Sequence, residues 1–465
     1  MASDIAAPAR GLIAPDQDFG SVGRTVSEIA LAHPLRYRWW LAFAVSLCGV
    51  SLLVAAIAYL LYAGVGVWGN NVPVTWALDI VSYDWWIGIA SGGLLISALL
   101  MLTGAEWRGA LSRLTETGAL IAAAAAACYP IIHLGRPWFF YWTLPYFNTL
   151  GLWPQWRSPL VWDAVDIISY LVVALTFWTI GLLPDLASLR DQAIERWRAT
   201  GRGRLQAQLY GIVALGWRGS AYHWHRWMQA YRIVAAFGVL LVISLQTGAA
   251  VMFAGTVEPG WHDTLLPTAF LLAAIFAGSA FMAAAAVVLR SIFGLEALIT
   301  ERHLALLSWL MLILGLFNLY CYAAEIFTTS LGNDSFDLAV MGRRIGGAHA
   351  WAFWTIAVCA LLPVHVFWLK AARRAPRVIV IVGLLVSGGL FADHFMVIVV
   401  TLQQDFLPSS YHPYEVGLWG VLTFLGSIGL FFMLALLGLR YLPVVSIIEI
   451  RRLSLSIPGS AAHGV

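Results

Sequence analysis

The chain has 465 residues, of which 61% are hydrophobic and only 11% charged, and its mean hydropathy is +0.81. Those values exclude a soluble multidomain protein and specify an all-α integral membrane fold. The formal net charge of +3 leaves no basic stripe for nucleic acid.

A crossing helix needs roughly 20 mostly apolar residues, and ten segments qualify: 39–64, 84–106, 115–134, 161–184, 230–255, 266–289, 303–328, 348–369, 378–402 and 415–439. Basic residues favour the cytoplasmic side. With both termini cytoplasmic, all of the 27 basic residues except Arg136, Arg157, Arg343 and Arg344 fall on that side. Residues 1–38 lack the charged region, apolar run and cleavage site of a secretory signal; they read as an irregular cytoplasmic tail that a partner would order.

The first span, 39–64, follows a basic and aromatic anchor, Arg36-Tyr37-Arg38-Trp39-Trp40, and carries no charge, which marks it as peripheral. The outer connection after it holds Asp79, Tyr83 and Asp84. Asp84 reads as a solvated helix start, favoured by the positive end of the helix dipole, or as a site residue. Ser91, Gly92 and Gly93 in the second span permit close approach of another helix or of a flat ligand. The third span returns outward and ends on Tyr129 and His133, four residues apart and so on one face, with Arg136 just beyond. An aromatic loop from Phe139 to Trp156 places this site where hydrocarbon meets headgroups.

The fourth span opens with Asp163, Asp166 and Tyr170 on a single helical face. Because span 3 ends where span 4 begins, His133 and these aspartates belong at similar depth. Carboxylates inside a membrane usually face a bundle interior or a water path, although interfacial solvation would also accommodate them. Residues 185–229 form the longest polar connection, with a charged surface helix ending at Gly201. His223 and His225, two apart and flanked by Trp224 and Trp227, suit interfacial anchoring better than metal ligation. Span 5 contains Gln246 and ends near His262. Spans 7 and 8 bring Glu325, Arg343, Arg344 and His349 to the outer face. Span 9 buries Asp393-His394, either as a proton relay or as a structural pair bonded to a neighbour.

The organisation expected is two four-helix bundles, spans 2–5 within 84–255 and spans 6–9 within 266–402. Span 1 (39–64) and the segment 415–465 lie at the periphery. The four cysteines all fall inside spans without CxxC spacing, which argues for packing and against disulfides, metal sites or covalent haem. No nucleotide-binding loop is present.

A histidine beside carboxylates at an outer depth reachable from the lipid suits a quinol, which must lose two protons with its two electrons. His133 would accept a hydroxyl proton and pass it toward Asp163, while Arg136 orients the ring. The chain offers no electron acceptor, so an iron–sulfur partner is implied.

The runs YPIIHLGRPWFFYW, GLWPQWRSPLVWD and LLPDLASLRD, with WRGSAYHWHRW, PGWHDT, GLEALITERHL and DFLPSS, closely resemble the C subunit of alternative complex III. That subunit lies within the broader NrfD-like family, which also serves polysulfide and nitrite reductases. The resemblance implies a haem-free, ten-helix protein that oxidises menaquinol near the periplasmic face of a bacterial inner membrane. Its implied partners are a periplasmic iron–sulfur subunit, multihaem cytochrome c subunits and a second NrfD-like membrane subunit. It implies His133 and Asp163 as the quinol-site pair; the residue pattern adds Tyr83, Ser91, Tyr129, Arg136, Asp166 and Tyr170 as expected quinol-binding residues. The resemblance suggests proton-path residues at Glu325 and Asp393, to which the residue pattern adds His349 and His394. Two departures stand out: Ser91 replaces a histidine typical of relatives, and Asp393-His394 replaces an acid–arginine pair. A secondary transporter, a purely structural anchor for cytochromes and a dihaem cytochrome b are the competing readings. The transporter lacks matching midplane breaks, and the cytochrome lacks a mate for His394.

Overall fold

The computed structural model describes residues 11–144 and 159–455. Its helices, in chain order, are α1 (Phe19–Ala32), α2 (Arg36–Ala63), α3 (Leu78–Leu102), α4 (Ser112–His133), α5 (Pro159–Thr200), α6 (Arg204–Val213), α7 (Ala221–Ala254), α8 (Leu266–Phe293), α9 (Glu301–Gly332), α10 (Ser335–Gly346), α11 (Ala350–Trp368), α12 (Pro376–Val400), α13 (Leu418–Tyr441) and α14 (Ile447–Leu455). No strand occurs among the described residues. All but α1, α6, α10 and α14 are long and apolar enough to cross a membrane, in line with the ten spans read from the sequence. Of the loop Phe139 to Trp156, residues 145–156 lie outside the described part, as do Arg10 and Arg157.

Helices α3, α4, α5 and α7 pack as one four-helix group, and α8, α9, α11 and α12 as a second. The seam between them is the α3–α8 crossing. Its closeness comes from Gly92 and Gly278: a Cβ on Gly92 would lie 2.4 Å from the Ala274 carbonyl oxygen and 2.8 Å from the Gly278 Cα. Helix packing, rather than a flat ligand, therefore uses the small residues of the second span. Helices α2 and α13 pair in the same way through Gly49 and Gly429, and α13 rests on α3 and α4. The outer surface of α2 exposes Leu41, Val45 and Val54, the expected lipid-facing composition.

Three features differ from the sequence reading. First, residues Phe19–Ala32 are helical and ordered by the chain itself. Asp18 caps α1 by accepting from the Ser21 amide at 2.6 Å. The apolar face of α1 (Val22, Val26, Ile29) packs into a second core with Leu186 and Leu189 of α5 and Ile447 and Ile450 of α14. Second, span 4 does not stop at Pro184. A proline removes the amide that would serve the carbonyl four residues back, which is that of Ile180. That carbonyl instead accepts from the Trp227 indole at 2.7 Å, and the neighbouring Gly181 carbonyl accepts from Arg113 at 2.6 Å. With the freed acceptors satisfied, α5 runs on to Thr200, and Gly201 with φ +70° ends it. Third, α3 begins at Leu78, so Asp79, Tyr83 and Asp84 belong to a helix rather than to a connection, and Asp84 is buried rather than a solvated helix start.

The helix directions place the ends of α3 (Leu78), α4 (His133) and α5 (Pro159) together on the arginine-poor face. Both bundles carry polar residues toward that face.

Candidate functional site

His133 closes the last turn of α4, and its Nδ1 lies 2.5 Å from Oδ2 of Asp79 in the first turn of α3. Asp79 is buried, and its other oxygen accepts from the Ala77 amide just before α3 at 3.2 Å. The carboxylate is thus anchored by its own helix while it holds the imidazole. An ionised carboxylate is acceptor-only, so the proton of a neutral imidazole sits on Nδ1 and Nε2 keeps its lone pair. The His133 side chain is 28% exposed, which leaves that edge approachable.

Tyr83, one turn beyond Asp79 on the same face of α3, lies within electrostatic reach of Asp84, Asp163 and Asp166. Asp84 in turn senses Asp163, and Asp163 senses Asp166. These acids come from α3 and from the opening turns of α5. Asp166 also faces Gly248 of α7, and Tyr170 is fully buried one turn deeper. Two atoms stand out: among the described residues, Asp84 Oδ2 and the Tyr170 hydroxyl are buried without a hydrogen-bond partner. Buried polar atoms ordinarily find partners. An acceptor on α3 and a hydroxyl on α5, each without a partner among the described residues, suit a ligand that bears hydroxyl or carbonyl oxygens.

The remaining predicted residues of the first bundle are dispersed. Ser91 is fully buried and accepts from Gln246 of α7 at 2.8 Å. Tyr129 turns toward α13, where its hydroxyl and the Trp86 indole both bond Ser427 at 2.9 Å. Arg136 is exposed and makes no ion pair among the described residues. Asp79 was visible in the sequence, but only the tertiary contact singles it out. Its signal is the spacing of four to Tyr83 together with a position at a helix start.

In the second bundle, Tyr322 of α9 donates to Asp393 of α12. Glu325, nearly one turn along α9, pairs with Arg344 at 2.5 Å, and Arg344 also reaches Thr401 and the Gly260 carbonyl. His349 Nδ1 lies 3.1 Å from Gln403 Nε2. Asp393 and His394 do not act as a pair. Successive residues on a helix diverge, so His394 points instead into the seam, its ring against Phe270 and its Nε2 3.9 Å from where a Gly88 methyl would sit. Its Nδ1 has no hydrogen-bond partner among the described residues. A wide π-type turn follows at Met396–Val400, a distortion often found at functional positions. Tyr322, Glu325, Arg344 and Asp393 line a cavity of ≈40 Å³. A water needs on the order of 10–15 Å³, so this space suits a short file of waters and is too small for a quinone ring.

A charged group the sequence reading did not foresee lies at the opposite, arginine-rich face. Glu116 accepts from Arg108 at 2.7 Å, Arg113 at 2.8 Å, Ser97 at 2.8 Å and Tyr231 at 2.6 Å. Arg113 also binds Asp185 at 2.7 Å, and Arg108 pairs with Glu449. Asp185 in turn accepts from the Ile448 amide at 3.0 Å. Arg108 and Arg113 therefore do more than set topology: they tie α4, α5 and α7 to the C-terminal helix α14.

Fold and site together define a polytopic membrane protein with a histidine–carboxylate pair at one end of a helical bundle. Residues 66–404 match the family described as polysulphide reductase, NrfD, and the chain belongs to that family. A relative is the C subunit of selenate reductase from Mesobacillus selenatarsenatis, 22% identical over 392 residues, which is 80% of this chain and 86% of that protein.

Proposed function

We propose that this chain is the quinol-oxidising membrane subunit of a quinol:electron-acceptor oxidoreductase of the alternative complex III type. The observation that carries the reading is the 2.5 Å contact between His133 Nδ1 and Asp79 Oδ2, together with the Asp84 and Tyr170 oxygens that find no partner among the described residues. Bound menaquinol supplies two electrons and two protons. His133 holds its lone pair at Nε2 as the general base, and Asp79 fixes the tautomer and offsets the charge when the ring gains a proton. Tyr83, Asp84 and Tyr170 orient the ligand's oxygens, and the half-buried Asp163 and Asp166 carry the proton to the arginine-poor face, which is periplasmic in this proposal. Arg136, exposed beside His133, draws the headgroup end of the site toward the interface. Ser91 and Tyr129, each bonded to a neighbouring helix, act by setting helix positions.

The electrons pass to an iron–sulfur partner at that face and on to multihaem cytochrome c subunits, with a second NrfD-like subunit alongside in the bacterial inner membrane. Family membership supports the first of these partners, and the relative's name, which places it in a reductase, supports a place in an oxidoreductase complex. Glu325, His349, Asp393 and His394 form the proton-conducting part of the proposal, with the narrow cavity as its outer segment. The test is quinol:acceptor turnover of the purified complex carrying His133→Ala or Asp163→Asn, each checked for assembly. Activity should collapse while dithionite still reduces the partner centres. Normal turnover in both variants would leave the structural-anchor reading as the better one.

A further inference from the structure

At the arginine-rich face, a cleft of ≈340 Å³ opens between the start of α2, the end of α8 and the end of α13. Its rim is entirely cationic or neutral: Arg36, Arg38, Arg440 and His33 line it, and no carboxylate does. Burial, with Arg440, Arg196 and Arg36 nearby, holds His33 below its ordinary pKa, so the positive charge is that of the three arginines. The floor is rigid. The Trp39 indole donates to the Leu436 carbonyl at 2.9 Å, and the Arg440 guanidinium stacks 4.3 Å above the Trp39 ring. Yet Arg440 Nη1 is buried with no hydrogen-bond partner among the described residues. A guanidinium held over aromatic rings, with one buried nitrogen that finds no acceptor among the described residues, suits an anion.

The walls say what that anion is joined to. Ile292, Phe293, Leu436 and Leu439 are apolar, and Ile292 is half exposed on the lipid-facing side. Tyr37 and Trp40 flank the arginines at the interface. We propose that this cleft binds an anionic phospholipid, its phosphate held by Arg36, Arg38 and Arg440 and its acyl chain laid along Ile292 and Leu439. An occupied cleft would add a lipid contact to the direct packing of α13 on α8, where Phe281 and Phe431 meet edge to face.

The test uses the full-length protein, stripped of lipid in detergent and equilibrated with phosphatidylglycerol and phosphatidylcholine in mixed micelles, with retained lipid counted by native mass spectrometry. The wild type should retain phosphatidylglycerol preferentially. Removing one basic residue near a charged headgroup should weaken retention about fivefold, so Arg440→Gln shows that loss and Arg36→Gln/Arg38→Gln/Arg440→Gln on the order of a hundredfold. Arg440→Lys, which keeps the charge, restores most of the preference, and Arg202→Gln on the same face leaves it unchanged. Undiminished preference in the triple variant, or its full loss in Arg202→Gln, overturns the proposal. Complete displacement of the lipid by inorganic phosphate overturns it too, since the site would then be one for free anions.

Discussion

Asp79→Asn is the sharpest probe of the proposed chemistry, because the substitution keeps the shape of the site and changes one property. Asparagine retains an oxygen for the Ala77 amide, so that bond at the start of α3 survives. What changes is the atom facing His133 Nδ1 at 2.5 Å. An amide can present N–H there, which drives the imidazole proton to Nε2 and removes the lone pair that accepts the quinol's proton. A positioned general base contributes about 10²- to 10⁴-fold, or roughly 3–5 kcal/mol of barrier at 1.36 kcal/mol per decade. The expected outcome is a fall in kcat within that range with KM little changed, measured as quinol:acceptor turnover of the assembled complex. Partner centres that dithionite still reduces would show that only the quinol step is lost. Turnover within twofold of wild type would refute the role given to the pair. So would a loss confined to KM.

Glu116→Gln should destabilise the protein without touching that chemistry. The amide would set an NH₂ against guanidinium donors inside a fully buried cluster, and disrupting a buried ion pair costs about 3–5 kcal/mol; a lowered thermal midpoint in detergent with unchanged turnover per folded molecule is expected. At the seam, Gly92→Ala should disrupt folding, because its Cβ would meet the Ala274 carbonyl at 2.4 Å, whereas Gly88→Ala, with nothing nearer than 3.7 Å, should express and fold normally. Comparing yields of monodisperse protein checks the pair. In the loop before α8, burial and then the nearby Asp405 raise the Glu258 carboxyl from 4.5 to about 7, against an opposing pull from Arg343. A raised carboxyl pKa means the folded state binds the proton more tightly, so stability falls as pH rises from about 4.5 through 7. Glu258→Gln should flatten that dependence in thermal midpoints measured from pH 5 to 8, and an unchanged slope would exclude Glu258 as its source.

The ten spans were legible because the hydrophobic cost of each segment is local: about 20 apolar residues cross a bilayer wherever they occur. His133, Asp163 and Asp393 were legible for the related reason that an ionisable residue in such a segment is expensive and so conspicuous. Span 4 was read as ending at residue 184, yet α5 continues through Pro184 because the carbonyl that a proline abandons is served by Trp227 from another helix. The α1 helix was missed for the same kind of reason, since its apolar face needs α14 and α5 to bury it. Composition and periodicity by themselves determined the class of protein and the number of crossings. Which carboxylate holds His133, that Asp393 and His394 serve different compartments of the fold, and that arginines read as topology markers form a buried network were decided by tertiary packing alone. Those facts depend on contacts between residues far apart in the chain, and a pairing between distant residues leaves no local periodicity to read.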